Sequence, residues 1–269
     1  MLKAKTINGI FCWARDVEKG NDFFCPECGE KLILKKGVYK VHHFSHFPTS
    51  FCEYGRGETI YHLMTKQKIY DILKKDPLVT YVDVEVRLEY CRADILFIKN
   101  NKKIAIEVQL SNISIEEISS RTYNYMRMGI AVLWLRSIYP LYCNSNEYLP
   151  PPLEKYIHCL YFGRVYYWLN DGDLIKAGHF EQRSEVKEND WLGWNTRVYF
   201  KRKVVRFGSE LSLLKDFNIK FRQGWEGGSL SIPKGVLYMD EKLAWWEKKN
   251  NSAKSYFDQS SYFGDLNAK

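Results

Sequence analysis

The sequence predicts a mixed α/β (α+β) protein whose core runs helix, three strands, helix, strand. Three observations carry that prediction. Apolar residues recur at helical spacing over Glu58 to Lys75 and over Ser114 to Met128. Two strand-like runs, Arg92 to Lys99 and Lys102 to Leu110, flank Asn100-Asn101, a pair that tolerates positive φ and closes a type I′ hairpin. Cysteine and histidine concentrate before residue 57, whereas six of the eight tryptophans lie beyond residue 152, so the core is expected to carry a different module on each side.

Bulk composition narrows the class. A chain of 269 residues with 45% hydrophobic content can bury a core and is not disordered. A net charge of +8 suits a polyanionic partner without demanding one. Met1-Leu-Lys-Ala-Lys5 has no leader character and no apolar run reaches 18 residues, so a soluble, cytoplasmic protein is expected. Seven cysteines, an odd number with a Cys-x₂-Cys pair among them, favour metal binding in a reducing compartment over a disulfide framework.

Residues 1–56 read as a zinc-binding-like module. Cys25-Pro-Glu-Cys28 presents two thiolates from one turn, and Zn²⁺ needs four soft or imidazole ligands. His46 and Cys52 form the preferred second pair, with His43 as the alternative ligand or as a residue aimed at the neighbouring cleft. Free structural cysteines in a polar loop are the plainer reading. Zinc here is architectural, replacing a core that some 50 residues struggle to build.

Residues 57–140 hold the core. Glu58 to Lys75 turns Ile60, Leu63, Met64, Ile69, Ile72 and Leu73 to one face, and Asp76-Pro77 ends it. Thr80 to Tyr90 alternates as a strand. Ser114 is the expected N-cap of the second helix, with Glu117 three residues on and Gly129 past its end. Ile130 to Leu135 is a short buried strand, and the helix before it is read as a right-handed crossover.

The hairpin generates the candidate site. If Lys99 pairs with Lys102, Asp94 stands opposite Glu107, with Cβ atoms about 4.5–5.5 Å apart. Two carboxylates so placed call for a cation, and Mg²⁺ or Mn²⁺ serving phosphodiester hydrolysis is the commonest answer. An acid ending one strand and Glu-x-Lys on the next resembles the PD-(D/E)XK nuclease pattern, except that this chain has Glu107-Val-Gln109. Gln109 can hydrogen-bond a water but carries no charge. Glu58, His62 and Lys66, at i, i+4 and i+8, form either a polar helix stripe or supporting groups, with Lys66 standing in for the absent lysine. Arg121 and Tyr125, one turn apart, either face the same cleft as substrate contacts or, for Arg121, pair with Glu117.

Residues 141–152, rich in proline, read as a linker. Residues 153–269 read as an aromatic, mainly β region, with strand-like runs at Leu160 to Leu169 and Arg197 to Arg206 and a turn at Asp171-Gly172. Trp168, Trp191, Trp194, Trp225, Trp245 and Trp246 lie among charges such as Lys201-Arg202-Lys203. Stacking on single strands would use such residues, but core packing is the favoured reading.

Taken together, Cys25-Pro-Glu-Cys28-Gly29, Lys40-Val-His-His43-Phe44-Ser-His46, Cys52, Glu58-x₃-His62-x₃-Lys66, Arg92-Ala-Asp94-Ile95 and Ile106-Glu107-Val-Gln109-x-Ser111-x₂-Ser114 resemble the competence protein CoiA-like family over residues 1–136. The resemblance implies a bacterial, cytosolic protein pairing a zinc-binding-like module with a PD-(D/E)XK nuclease domain. It also implies a role in processing incoming DNA, single-stranded or branched, alongside recombination proteins. The Glu-Val-Gln form belongs to the pattern it resembles. A DNA-binding or recombination-mediator protein that keeps the nuclease fold without activity is the second reading, and a protein-interaction scaffold on the zinc module the third.

Overall fold

The structure is a computed structural model that describes residues 1–137, 150–169, 174–187, 197–227 and 230–241, with the side chains of 137, 181–187, 197–209, 227 and 230 outside the description. The chain divides into two compact units, Met1–Val108 and Gln109–Lys269. It is a mixed α/β protein with three helices and extensive sheet among the described residues. No helix among them is long and apolar enough to cross a membrane.

The first unit opens with five short antiparallel strands: β1 (Lys3–Thr6), β2 (Phe11–Trp13), β3 (Phe23–Phe24), β4 (Lys31–Lys35) and β5 (His43–Ser45). Their spatial order is β2-β1-β3-β4-β5. The small core over this sheet includes Ala4, Phe23, Leu32, Phe44 and Tyr54, with the Phe23 and Phe44 rings 5.0 Å apart. It is thin, as expected where few residues can cover an apolar face.

Helix α1 (Ile60–Leu73) follows, then β6 (Val79–Arg87), β7 (Arg92–Lys99) and β8 (Lys102–Gln109) as an antiparallel meander. The helix starts two residues later than the periodicity predicts, because the Thr59 side chain accepts from the His62 N–H at 3.2 Å and caps it. Leu63, Ile69 and Leu73 are buried as expected, but Met64 is exposed while Thr65 and Lys66 are buried. Periodicity misreads this face because a charged side chain takes an interior position. The β7–β8 register is the expected one: Lys99 pairs with Lys102 and Ile95 with Ile106, with Asn100 and Asn101 at φ +50° and +58°.

The second unit begins at Gln109 and continues into α2 (Ile115–Arg127). Ser114 caps this helix by accepting from the Glu117 N–H at 3.1 Å, and Gly129 follows with φ +65°. Next come β9 (Ala131–Ser137), α3 (Pro152–Leu160) and β10 (Val165–Leu169), with β9 and β10 parallel. Then β11 (Leu174–Lys187) and β12 (Arg197–Leu211) form a long antiparallel pair, and β13 (Phe217–Arg222) pairs with β16 (Gly235–Asp240). Between them β14 (Trp225–Gly227) and β15 (Leu230–Ile232) make a short hairpin where a glycine-rich loop would be read. Trp134, Tyr156, Tyr166 and Trp168 are fully buried, which supports the core reading for Trp168, whereas Trp225, the other described tryptophan of this region, is half-buried.

The predicted strand over Leu160 to Leu169 is corrected. Its start belongs to α3, which Pro152 opens at the first helical turn, where a missing N–H costs nothing. Phe162 and Gly163, both at positive φ, separate helix from strand. Residues 141–149 of the predicted linker, Asp171-Gly172, Trp191, Trp194, Trp245 and Trp246 lie outside the described residues. Lys201-Arg202-Lys203 lies on β12 with its side chains undescribed.

The hairpin turn gives a direct test. Asn101→Ala is expected to cost about 1 kcal/mol, because alanine lacks the short polar side chain that eases the left-handed backbone for asparagine, while Asn101→Gly is neutral or stabilising. Urea unfolding of the full-length chain reads both.

Candidate functional site

Three acids stand side by side across the meander of the first unit. The flanking pairs Val84↔Ile95 and Val86↔Ala93 bracket Glu85 and Asp94 on β6 and β7. The β7–β8 register, continued one residue past Ile95↔Ile106, brings Glu107 across from Asp94. Sequence reasoning missed Glu85. The alternation Val82-Asp83-Val84-Glu85-Val86 places an acid on β6, but nothing in the pattern marks it as interior. Glu85 is buried and holds φ +53°, an uncommon backbone state for a residue with a Cβ in mid-strand.

Lys66 knits this cluster. Its ammonium, with 1% of the side chain exposed, lies 2.8 Å from Glu85 Oε1 and 3.8 Å from Asp94 Oδ1, and also donates to Glu58 Oε1. Glu85 further accepts from Leu2 N–H at 2.9 Å, Lys3 N–H at 3.2 Å and the Tyr54 hydroxyl at 3.0 Å. Burial alone would raise the Glu85 pKa, but the Lys66 ammonium and the amino group of Met1 overcome it and hold the group ionised. Burial would likewise lower Lys66, and the carboxylates of Glu85, Glu58 and Asp94 push it upward instead.

His62 bridges two of the acids. Nδ1 lies 3.2 Å from Glu58 Oε1 and Nε2 lies 3.1 Å from Asp94 Oδ2. Burial works against its charged form, but Asp94 and Glu58 together raise its pKa to about 9. Asp94 Oδ2 also accepts the Val108 N–H at 2.9 Å. Burial would raise Asp94, and His62, Lys66 and this N–H hold it below the usual range. Glu58 sits before the helix cap, not on the helix as its i, i+4 spacing to His62 suggested, yet it still reaches both His62 and Lys66. Ligand atoms of Glu58, His62 and Asp94 lie within 4.8 Å of one another, a geometry that can hold a cation. This trio differs from the expected Asp94–Glu107 pair. Glu107 is 1% exposed, next to Val108 rather than among the three. Two carboxylates and one imidazole suit Mn²⁺, and Mg²⁺ would rely on the oxygens.

The second cluster matches expectation closely. Ligand atoms of Cys25, Cys28, His46 and Cys52 lie within 4.8 Å of one another, and Cys28 Sγ is 3.5 Å from His46 Nε2. The Glu27 N–H points at Cys25 Sγ at 3.4 Å. Gly29, at φ +74°, donates back to the Cys25 carbonyl and closes the knuckle. Desolvation and the adjoining thiols push Cys28 up to about 12, a cost that a bound cation removes. Three thiolates and one imidazole could hold a metal such as zinc. His43, the alternative ligand, instead sets Nδ1 2.9 Å from the Val41 carbonyl and stands outside this group.

In the second unit, Gln109 Nε2 donates to Ser111, at 2.9 Å to its carbonyl and 3.1 Å to its hydroxyl. Arg136 fixes the same turn from its other side, donating to the carbonyls of Gln109 and Ser111 at 2.8 and 2.9 Å. Arg121 Nη1 lies 4.0 Å from Glu117 Oε1, with its guanidinium 5.0 Å from the Trp134 ring centre, so the intrahelical pairing is realised. Tyr125 is fully buried. A side chain without exposed surface cannot serve as an open substrate contact, which corrects that expectation.

Comparison with known proteins bears on both clusters. Residues 14–55 match the family model described as the N-terminal domain of competence protein CoiA, and residues 58–152 match that of its nuclease-like domain. The competence protein CoiA of Bacillus subtilis (strain 168) is 30% identical over 118 residues, which is 44% of this chain and 32% of that protein. The similarity therefore spans about a third of the relative's length. No solved structure matches the chain.

Two measurements test the geometry. Lys66→Met should destabilise the first unit by about 3–5 kcal/mol in urea unfolding, because it strands buried carboxylates, and adding Glu85→Gln should recover part of that loss. Metal analysis of purified protein should find about one equivalent of zinc per chain. Cys28→Ser should lose that metal and lower the melting temperature.

Proposed function

The chain belongs to the competence protein CoiA family, and from that premise we propose that it is a divalent-metal-dependent nuclease acting on DNA in the cytoplasm. The observation that carries this reading is the gathering of Glu58, His62 and Asp94 within 4.8 Å, beside a strand pair that sets Asp94 across from Glu107. We read residues 1–56 as the zinc-binding-like module and 57–140 as a PD-(D/E)XK-like core, with 141–152 as linker and 153–269 as a region of separate role. In this reading Asp94 and Glu107, helped by Glu58, hold Mg²⁺ or Mn²⁺. Such an ion would lower the pKa of a bound water and offset charge developing on the phosphate.

The chain's own groups take the remaining roles. Lys66 supplies the fixed positive charge that Gln109 cannot, and positions Asp94 and Glu58 through its buried ammonium. His62, whose pKa its two acids raise to about 9 in the absence of an ion, is placed either to ligate the ion beside Glu58 and Asp94 or, where the ion sits on the carboxylates alone, to hydrogen-bond a phosphate oxygen. Single-stranded or branched DNA, and recombination proteins as partners, fit a role in handling incoming DNA.

A second reading rests on one specific observation. Lys66 already neutralises the acid cluster from inside, so the carboxylates are satisfied without a metal, as in a DNA-binding protein that keeps the nuclease fold. The two readings part on turnover. With Mn²⁺ or Mg²⁺, wild-type protein is expected to cut DNA, and Asp94→Ala and Glu107→Ala to lower the rate by roughly 10²-fold or more. Metal-dependent cutting that survives both substitutions would refute the site. DNA binding without cutting by any of the three proteins would select the second reading.

A further inference from the structure

A groove of about 740 Å³ opens beside the β4–β5 hairpin of the first unit, and four of its lining residues are lysines: Lys19, Lys35, Lys36 and Lys40. Lys36 is committed, with its ammonium 2.8 Å from both Glu18 Oε1 and the Val17 carbonyl. Lys19, Lys35 and Lys40 have no ion-pair partner among the described residues, so three cations face the groove uncompensated. Val38 and Tyr39 also line it and are 94% and 98% exposed. An aromatic ring left that open on a folded surface is ready to be covered, and the charges around it select an anionic cover.

The groove also has an address. His43 and Ile60 complete its lining, and Ile60 is the first residue of α1. Glu58 and His62, two residues to either side, belong to the carboxylate site. The N-terminus of a helix, with its free N–H groups, favours a phosphate at that point.

We propose that this groove is the track on which an unpaired polynucleotide lies, with phosphates on Lys19, Lys35 and Lys40 and a base stacked on Tyr39, leading to the N-terminus of α1. Double-stranded substrate is disfavoured because its bases are already stacked and offer no free face to Tyr39. The inference deepens the nuclease reading by naming its substrate class, and it places recognition on the N-terminal module, away from the tryptophan-rich region.

The test uses full-length protein, without added divalent metal, and fluorescein-labelled oligodeoxyuridylate and oligouridylate of about 20 nucleotides as probes across a salt series. Lys35→Glu combined with Lys40→Glu should weaken binding at least about tenfold and flatten the salt dependence by roughly 1.4, at about 0.7 per phosphate contact on a single strand. Tyr39→Ala should also weaken binding about tenfold but leave that slope unchanged, as loss of stacking requires. Unchanged zinc content and circular dichroism show that the variants fold. A preference between the two probes names the sugar read and leaves the track in place. Equal binding by wild type and both variants overturns the track even if Mn²⁺-dependent cutting is present. Mapped binding with no cutting under any metal overturns the hydrolase and leaves the track standing. No binding of either probe by wild type, or equal displacement by polyglutamate, overturns it in favour of an acidic protein partner.

Discussion

The carboxylate of Glu85 is the point on which the first unit depends. It sits in the middle of β6 and gathers the backbone of Leu2 and Lys3, the Tyr54 hydroxyl and the Lys66 ammonium. One buried charge thus ties the first strand, the end of the N-terminal segment and helix α1 to the meander. A buried carboxylate is tolerable only when donors fill its lone pairs, and here they come from three separate stretches of chain. Around it, Lys3 reaches Asp83 and Arg15 reaches Asp71 at 2.8 Å, while Arg92 stacks over Tyr54 with its guanidinium carbon 3.7 Å from the ring centre. Family similarity divides the chain between residues 55 and 58, whereas packing joins residues 14–55 to residues 58–108 in one compact unit that ends inside the nuclease-like match.

The same arrangement sets the electrostatics of the site. Lys66 faces Glu58, Glu85 and Asp94, and His62 bridges Glu58 and Asp94, so positive charge is already placed among the acids by the Lys66 ammonium. The PD-(D/E)XK pattern that the sequence resembles has its lysine on the strand with the second acid. Here the lysine comes from the helix and enters from the buried side. That geometry leaves Glu58 and Asp94 partly exposed, at 16% and 20% of their side chains, and keeps the ammonium out of solvent. The cation therefore acts as fixed architecture, and the exposed edge of the cluster is left to the groups that chemistry would use.

Local rules made much of this legible. Asn100-Asn101 fixed the hairpin and with it the 94:107 alignment, because a two-residue turn leaves a single register. Ser114 with Glu117, and Gly129, marked both ends of α2. Cys25, Cys28, His46 and Cys52 were recoverable because ligand chemistry restricts residue type and spacing together. What escaped was tertiary. Nothing in an alternating strand distinguishes Glu85, buried by a left-handed backbone, from a solvated acid. Lys66 was visible as a candidate, but its complete burial depends on partners from β6 and β7. Helix α3 was hidden by Pro150-Pro151-Pro152, which reads as linker until Pro152 is seen as the first turn of a helix.

The two donor clusters differ in hardness, and that difference has a practical consequence. Thiolates and an imidazole hold one ion tightly, while carboxylates beside a single imidazole accept several divalent ions according to supply. Because both sets lie in one compact unit, a strong chelator would strip any ion from both, and an excess of zinc would compete for His62 as well as for the thiolates. The metal history of a preparation, from growth medium to final buffer, thus becomes a variable of the protein itself.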